Sequence, residues 1–193
     1  MKEKFISLCN KNIERAGIDK LLTWLDTTDF YTAPASTRFH GSHEGGLVEH
    51  SLAVFENMKS GIKISAENES VAIVSLFHDL CKVNFYVPEW RNKKVYSENG
   101  SKRDEGGRFD WETVQGYSVD DQFPYGHGEK SAYIVGLFMK LTVDELMAIR
   151  WHMGGFDDSI KGGSYALGNA FEKYPLALEL HIADLRATYI DKK

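Results

Sequence analysis

Four histidines and two aspartates stand where their side chains are costly to place without a partner. His50 lies among Leu47, Ser51 and Val54, and His78-Asp79 closes an apolar run that begins at Val71 and continues into Leu80. Asp184 repeats the situation in Leu-His-Ile-Ala-Asp-Leu-Arg-Ala, while His127 sits between two glycines and His152 in Ile-Arg-Trp-His-Met. An ionised carboxylate among leucines and phenylalanines is expensive unless a cation or hydrogen bonds compensate it. Each residue alone has an ordinary reading. A histidine on an apolar helix is usually a hydrogen-bonded core residue. Asp184 could pair with Arg186 or Arg150, His50 with Glu49, and His127 could be a loop residue. Taken together, two carboxylates and several imidazoles on separate apolar segments are explained economically by a divalent metal. Nitrogen and oxygen donors of this kind suit iron, manganese, zinc, cobalt or nickel better than calcium.

The elements that must position these groups read mostly as helix. A helical stripe runs through residues 2–16 with Phe5, Leu8, Cys9 and Ile13, closed by Gly17, and a short helix follows over 18–25. Residues 46–58 form a helix carrying His50, and 69–82 a helix apolar on nearly every face, hence central. Between 84 and 126 the pattern changes: stretches such as Lys94-Val95-Tyr96 and Arg108-Phe109-Asp110-Trp111 alternate as hairpin strands do. Helical patterning returns over 129–140. Thr142-x-x-Glu145 reads as a capping box for a helix to about His152, and Gly154-Gly155 breaks it. Helices over 164–174 and 175–190 follow, with Pro175 suited to a first turn. No internal repeat or linker marks a second domain.

Bulk properties narrow the function. The chain has 193 residues, 42% of them apolar, which allows one substantial core. No apolar stretch is long enough to span a bilayer, and no signal-peptide core follows Met-Lys-Glu-Lys. Two cysteines outside any Cys-x-x-Cys motif cannot build a disulfide framework and suit a cytoplasmic protein. A net charge of −5 argues against coating duplex nucleic acid by charge alone, although a metal can draw a small anion locally.

The order His50, His78-Asp79, His127, His152, Asp184 resembles the HD superfamily of metal-dependent phosphohydrolases. Gly-Gly-Leu-Val-Glu-His-Ser-Leu-Ala-Val (45–54) looks like its first-histidine helix. Leu-Phe-His-Asp-Leu-Cys-Lys (76–82) looks like its His-Asp motif, usually written with glycine where this chain has Cys81. Gly-His-Gly-Glu-Lys-Ser-Ala (126–132), Ile-Arg-Trp-His-Met (149–153) and the Asp184 segment are similar to later family segments. The resemblance covers about 38–190. With the helical patterning it implies an all-α fold: an HD-type helical bundle on a single domain, 1–193, with a small β-hairpin inserted around 90–125, inside an excursion over about 84–126.

The resemblance also implies a site. Minimal members bind one metal through the equivalents of His50, His78, Asp79 and Asp184; those with two further histidines, here His127 and His152, hold two. Asp79 would then bridge, with His50, His78 and Asp184 on one ion and His127 and His152 on the other. Lys82, three residues after Asp79, is expected to hold a phosphate oxygen, and Asp79 and Lys82 are the catalytic candidates. Lys130, His43 and Arg38 are candidate substrate contacts, His40 a weaker one, while Glu129 could orient a ligand and His181 approach or support the site. The expected substrate is a small phosphorylated molecule, a nucleotide or short oligonucleotide, attacked by metal-activated water. The excursion carries Arg91, Lys93, Lys94, Lys102, Arg103 and Arg108 beside Tyr96, Phe109 and Trp111, which suits either a substrate lid or a solvated hairpin. Two rivals stand: a diiron oxygenase, whose chemistry the same ligand set supports in other HD proteins, and a regulatory protein that binds metal without catalysis.

Overall fold

The computed structural model describes residues 1–38, 40–61 and 64–191. In chain order, the helices are α1 (Lys2–Asn12), α2 (Ile18–Leu25), α3 (Gly46–Gly61), α4 (Asn68–Phe77), α5 (His127–Gly136), α6 (Val143–Trp151), α7 (Ala166–Lys173) and α8 (Pro175–Tyr189). The strands are β1 (Tyr86–Tyr96), β2 (Lys102–Asp104) and β3 (Gly107–Val119).

The apolar run of α4 does what its composition dictates. Every residue from Ser70 to Phe77 is buried, so the helix is packed on all sides rather than along one stripe. α3 lies against α4 and α8, α8 against α6 and α7, and α6 against α5. Phe5 of α1 closes one end of the core, edge-on to Phe30 and Phe77. The buried apolar side chains form one continuous cluster. α6 opens with the expected capping box: the Thr142 hydroxyl accepts from the Glu145 amide, and the Glu145 carboxylate accepts from the Thr142 amide at 2.8 Å.

α4 stops earlier than the sequence suggests. Instead of running to Lys82 it ends at Phe77, turns through His78-Asp79 and tightens into a 3-10 turn, Leu80–Lys82. A continuing helix would offer the Ser75 carbonyl to the Asp79 amide; here that carbonyl accepts His78 Nδ1–H at 2.8 Å. Asp79 adopts φ −104°, ψ 21°, which turns its carboxylate off the α4 axis.

The all-α expectation is overturned. Among the described residues, 51% are helical and 14% lie in strands, and the strands form one antiparallel sheet in the order β1-β3-β2. β1 and β3 pair along their length from Tyr86↔Val119 to Tyr96↔Phe109, and β2 adds to the outer half of β3 through Lys102↔Phe109. The fold is therefore mixed α/β, with an arm larger than a small hairpin. Both arm faces meet solvent, and Trp90 is 73% exposed. With neither face packed on the core, nothing demands an unbroken apolar–polar alternation: it shows at Arg108-Phe109-Asp110-Trp111 but lapses over Arg91-Asn92-Lys93-Lys94.

The arm is anchored at its root. The Asp120 amide donates to the Phe85 carbonyl at 2.9 Å, and the Tyr86 hydroxyl donates to the Ala35 carbonyl at 3.3 Å. Among the described residues no helix is long and apolar enough to cross a membrane.

Candidate metal centre

The turn at the end of α4 places Asp79 where four other elements converge. His50 comes from the middle of α3 and Asp184 from α8. His127 is the first residue of α5, and His152 is the residue immediately after α6. Close helix contact sets the spacing of the last two: a Cβ on Gly128 would lie 2.1 Å from the Arg150 carbonyl oxygen, so only glycine lets the start of α5 approach the end of α6.

The two oxygens of Asp79 face different partners. Oδ2 lies 3.5 Å from His78 Nε2, 3.6 Å from His50 Nε2 and 2.6 Å from Lys82 Nζ. Oδ1 lies 3.1 Å from His127 Nε2, 3.4 Å from His152 Nε2 and 4.0 Å from Cys81 Sγ. On the Oδ2 side, His50 Nε2 is also 3.1 Å from Asp184 Oδ1 and 3.3 Å from His78 Nε2. All six sequence-predicted ligands are thus brought together, in overlapping groups of three that could hold a metal ion: His50, His78 and Asp184; His78, Asp79 and His152; Asp79, Cys81 and His127.

For His78 and His152, neighbouring backbone fixes which ring nitrogen faces the cluster. His78 Nδ1–H donates to the Ser75 carbonyl at 2.8 Å, and His152 Nδ1–H to the Ile149 carbonyl at 2.7 Å. In the neutral ring this leaves Nε2 unprotonated and aimed at the cluster, the arrangement that orients a metal-ligating imidazole. Burial pushes His78 down to about 3, against the pull of Asp79, so its ring is neutral at ordinary pH. Burial would raise Asp79, but Lys82, His78 and His127 hold it well below the usual carboxylate range. Asp184 is held low in the same way, against burial, by its hydrogen bond from His50 and the nearby histidines. His127 goes the other way: burial opposes its protonation, but the Cys81 sulfur and the Asp79 carboxylate raise it to about 10.

Lys82 already gives Asp79 a countercharge at 2.6 Å, so the buried carboxylate is weak evidence of a metal. The imidazoles argue more strongly. His152 Nε2 is fully buried and, among the described residues, has no hydrogen-bond partner, although it faces Asp79. An orphaned buried acceptor is costly. His78 and His50 Nε2 face each other at 3.3 Å, and one proton on His50 can serve either His78 or Asp184 but not both. Two donors about 2.1 Å from one cation and about 100° apart would be separated by about 3.2 Å. The donor set fits a divalent ion.

The remaining predicted residues divide. Lys82 joins the cluster through Asp79, and the carboxylate raises its pKa above the ordinary lysine value despite burial. Arg38 and His43 line a cavity of about 610 Å³ that reaches His50, where His43 Nε2 is 2.8 Å from Glu49 Oε2. Lys130 is not directed at the cluster: its ammonium bonds Asp121 at 2.8 Å and lies over the Phe85 and Phe123 rings, at the root of the arm. Glu129 pairs with Arg150. His181 supports rather than joins, its Nδ1–H donating to the His152 carbonyl at 2.7 Å. Among the described residues Asp184 forms no ion pair with Arg186 or Arg150; besides His50, the Thr188 hydroxyl donates to its Oδ1 at 3.4 Å.

Two residues carry more than the sequence suggested. His40 lies in the same cavity, its ring 4.9 Å from that of His50; both its nitrogens are buried without partners among the described residues, and burial lowers it to about 4. Cys81 joins Asp79 and His127; its only sequence signal was a departure from glycine in the His-Asp motif.

Comparison with protein-family models, curated proteins and solved structures finds no match to this chain.

Proposed function

We propose that the protein is a metal-dependent phosphohydrolase of the HD type, acting on a phosphodiester of a nucleotide or short oligonucleotide at a dinuclear centre. The observation that carries this reading is the division of Asp79, whose two oxygens face separate sets of imidazoles, as a bridging carboxylate requires. His50, His78 and Asp184 would hold one ion, and His127 and His152 the other, with manganese, iron, nickel, cobalt or zinc as candidates. Such ions supply Lewis acidity toward a phosphoryl oxygen and lower the pKa of a coordinated water.

The chain's own residues do the rest. Lys82 places a buried positive charge 2.6 Å from Asp79, where it can stabilise charge developing on a phosphoryl oxygen. The cavity beside His50 offers Arg38, His40 and His43 to an anionic substrate, and its volume of about 610 Å³ suits a nucleotide-sized ligand. Lys130 is left out of substrate binding. The proposed location is the cytoplasm, a reducing compartment, which suits Cys9 and Cys81, neither of which forms a disulfide.

The test combines metal analysis of the purified protein with turnover of bis-p-nitrophenyl phosphate. Manganese- or nickel-dependent hydrolysis, abolished in a folded Asp79→Asn variant, is expected. A mixed-valent diiron centre that consumes oxygen and hydrolyses no phosphodiester would overturn the proposal in favour of the oxygenase.

A further inference from the structure

We propose that Cys81 is a ligand of the second ion, so that the centre has one nitrogen–oxygen site and one sulfur-containing site selective for zinc or cobalt. The inference rests on the metal-centre reading above and adds to it a ligand that the His/Asp pattern does not contain.

Cys81 is placed by two constraints that are independent of any metal. It sits in the 3-10 turn after Asp79, and its amide donates to the Ser131 hydroxyl of α5 at 3.0 Å, which ties the turn to the helix that begins with His127. The side chain is buried, and its sulfur lies 4.0 Å from Asp79 Oδ1. Sulfur, Asp79 oxygen and His127 nitrogen all fall within 4.8 Å of one another. A cation about 2.3 Å from a thiolate and about 2.1 Å from a carboxylate oxygen spans such a separation at an angle of about 130°. The second, independent sign is on the same side of Asp79: the unpartnered Nε2 of His152, fully buried and 3.4 Å from Oδ1.

Three donors therefore lie close together in this half of the cluster, on Asp79, His127 and Cys81, and His152 Nε2 faces the same Asp79 Oδ1 at 3.4 Å. The other half offers only imidazole and carboxylate. Thiolate is a soft ligand that favours zinc and cobalt over manganese or magnesium. Coordination forms one sulfur–metal bond and releases the thiol proton to solvent; no electrons are transferred.

The experiment is a cobalt(II) titration of the metal-stripped, full-length protein and of Cys81→Ser, followed by absorption spectroscopy. The wild type is expected to take up two equivalents and to develop a thiolate-to-cobalt charge-transfer band in the near ultraviolet with one of them. Cys81→Ser should lose the band and bind that equivalent about 10-fold or more weakly, since losing even an outer partner of a ligand costs that much. X-ray absorption of the zinc-loaded wild type needs no variant, and should show one sulfur at about 2.3 Å from zinc. Two bound cobalt equivalents with no charge-transfer band, or zinc with only nitrogen and oxygen neighbours, would refute Cys81 as a ligand and leave the dinuclear centre standing. No stoichiometric cobalt uptake at all would sink both readings.

Discussion

Replacing Lys82 with methionine tests what neutralises Asp79. The ammonium sits 2.6 Å from Asp79 Oδ2, and the side chains are 10% and 3% exposed, so solvent screens the pair little. Stripping one partner from a buried ion pair generally costs about 3–5 kcal/mol, because the remaining charge stays buried. His127 Nε2, 3.1 Å from the other oxygen and raised to about 10, retains part of the compensation and puts the expected loss near the lower end, about 3 kcal/mol. For a chain of this length that corresponds to a fall in Tm of about 6–12 °C. The assay is differential scanning calorimetry of Lys82→Met and wild type, each with chelator and with saturating manganese. A bound divalent ion takes over the role of countercharge, so the gap should be widest in chelator and shrink with metal. An equal gap under both conditions would show that Lys82 acts as packing alone. No loss in chelator would show that Asp79 is not kept charged by Lys82.

Two further outcomes probe the scaffold. The Glu145 carboxylate, fully buried, accepts from Arg15, Ser70 and the Thr142 amide; although burial opposes it, these partners hold its pKa below the ordinary 4.5. A depressed folded-state pKa contributes stability that is present above the unfolded value and lost as pH falls through the folded one. Urea melts at neutral pH and at about pH 4 should therefore show Glu145→Gln destabilised by about 1–3 kcal/mol at neutral pH and less sensitive to acid than wild type; parallel acid limbs would be the contrary result. Phe77→Ala, at a fully buried ring packed edge-on against Phe5, should cost about 3–5 kcal/mol in the same melts, and a loss below about 1 kcal/mol would mean the α1–α4 contact collapses freely around the void.

The ligand cluster was largely readable because its members are polar residues at apolar helical positions, where each needs a partner. His50, His78, Asp79 and Asp184 all met that condition, and the structure gathers them with His127 and His152. The strands were less readable. Lys94-Val95-Tyr96 and Arg108-Phe109-Asp110-Trp111 alternate in polarity and indicate a hairpin, but with neither face packed on the core the alternation lapses elsewhere in 86–96 and 107–119, so the extent of the sheet and the fold class were missed. Lys130 shows a different limit. Its offset from His127 suggested a shared face, yet a long side chain can turn from that face, and Asp121 with two aromatic rings draws it to the arm. His40 and Cys81 depended on how a loop and a turn fold back, which periodicity does not encode.

The arm has a consequence for how the cluster assembles. Asp79 and His127 are 48 residues apart in sequence, a wide loop to close for one contact. The Tyr86↔Val119 pair pinches that loop at its neck, and once the hairpin has zipped, only about fifteen residues separate the two groups along the shortened path. Closure entropy grows as the logarithm of length, so the hairpin removes about 1 kcal/mol from the cost of bringing Asp79 to His127. A self-paired appendage thereby acts as a tether, letting a distant segment behave as a local one.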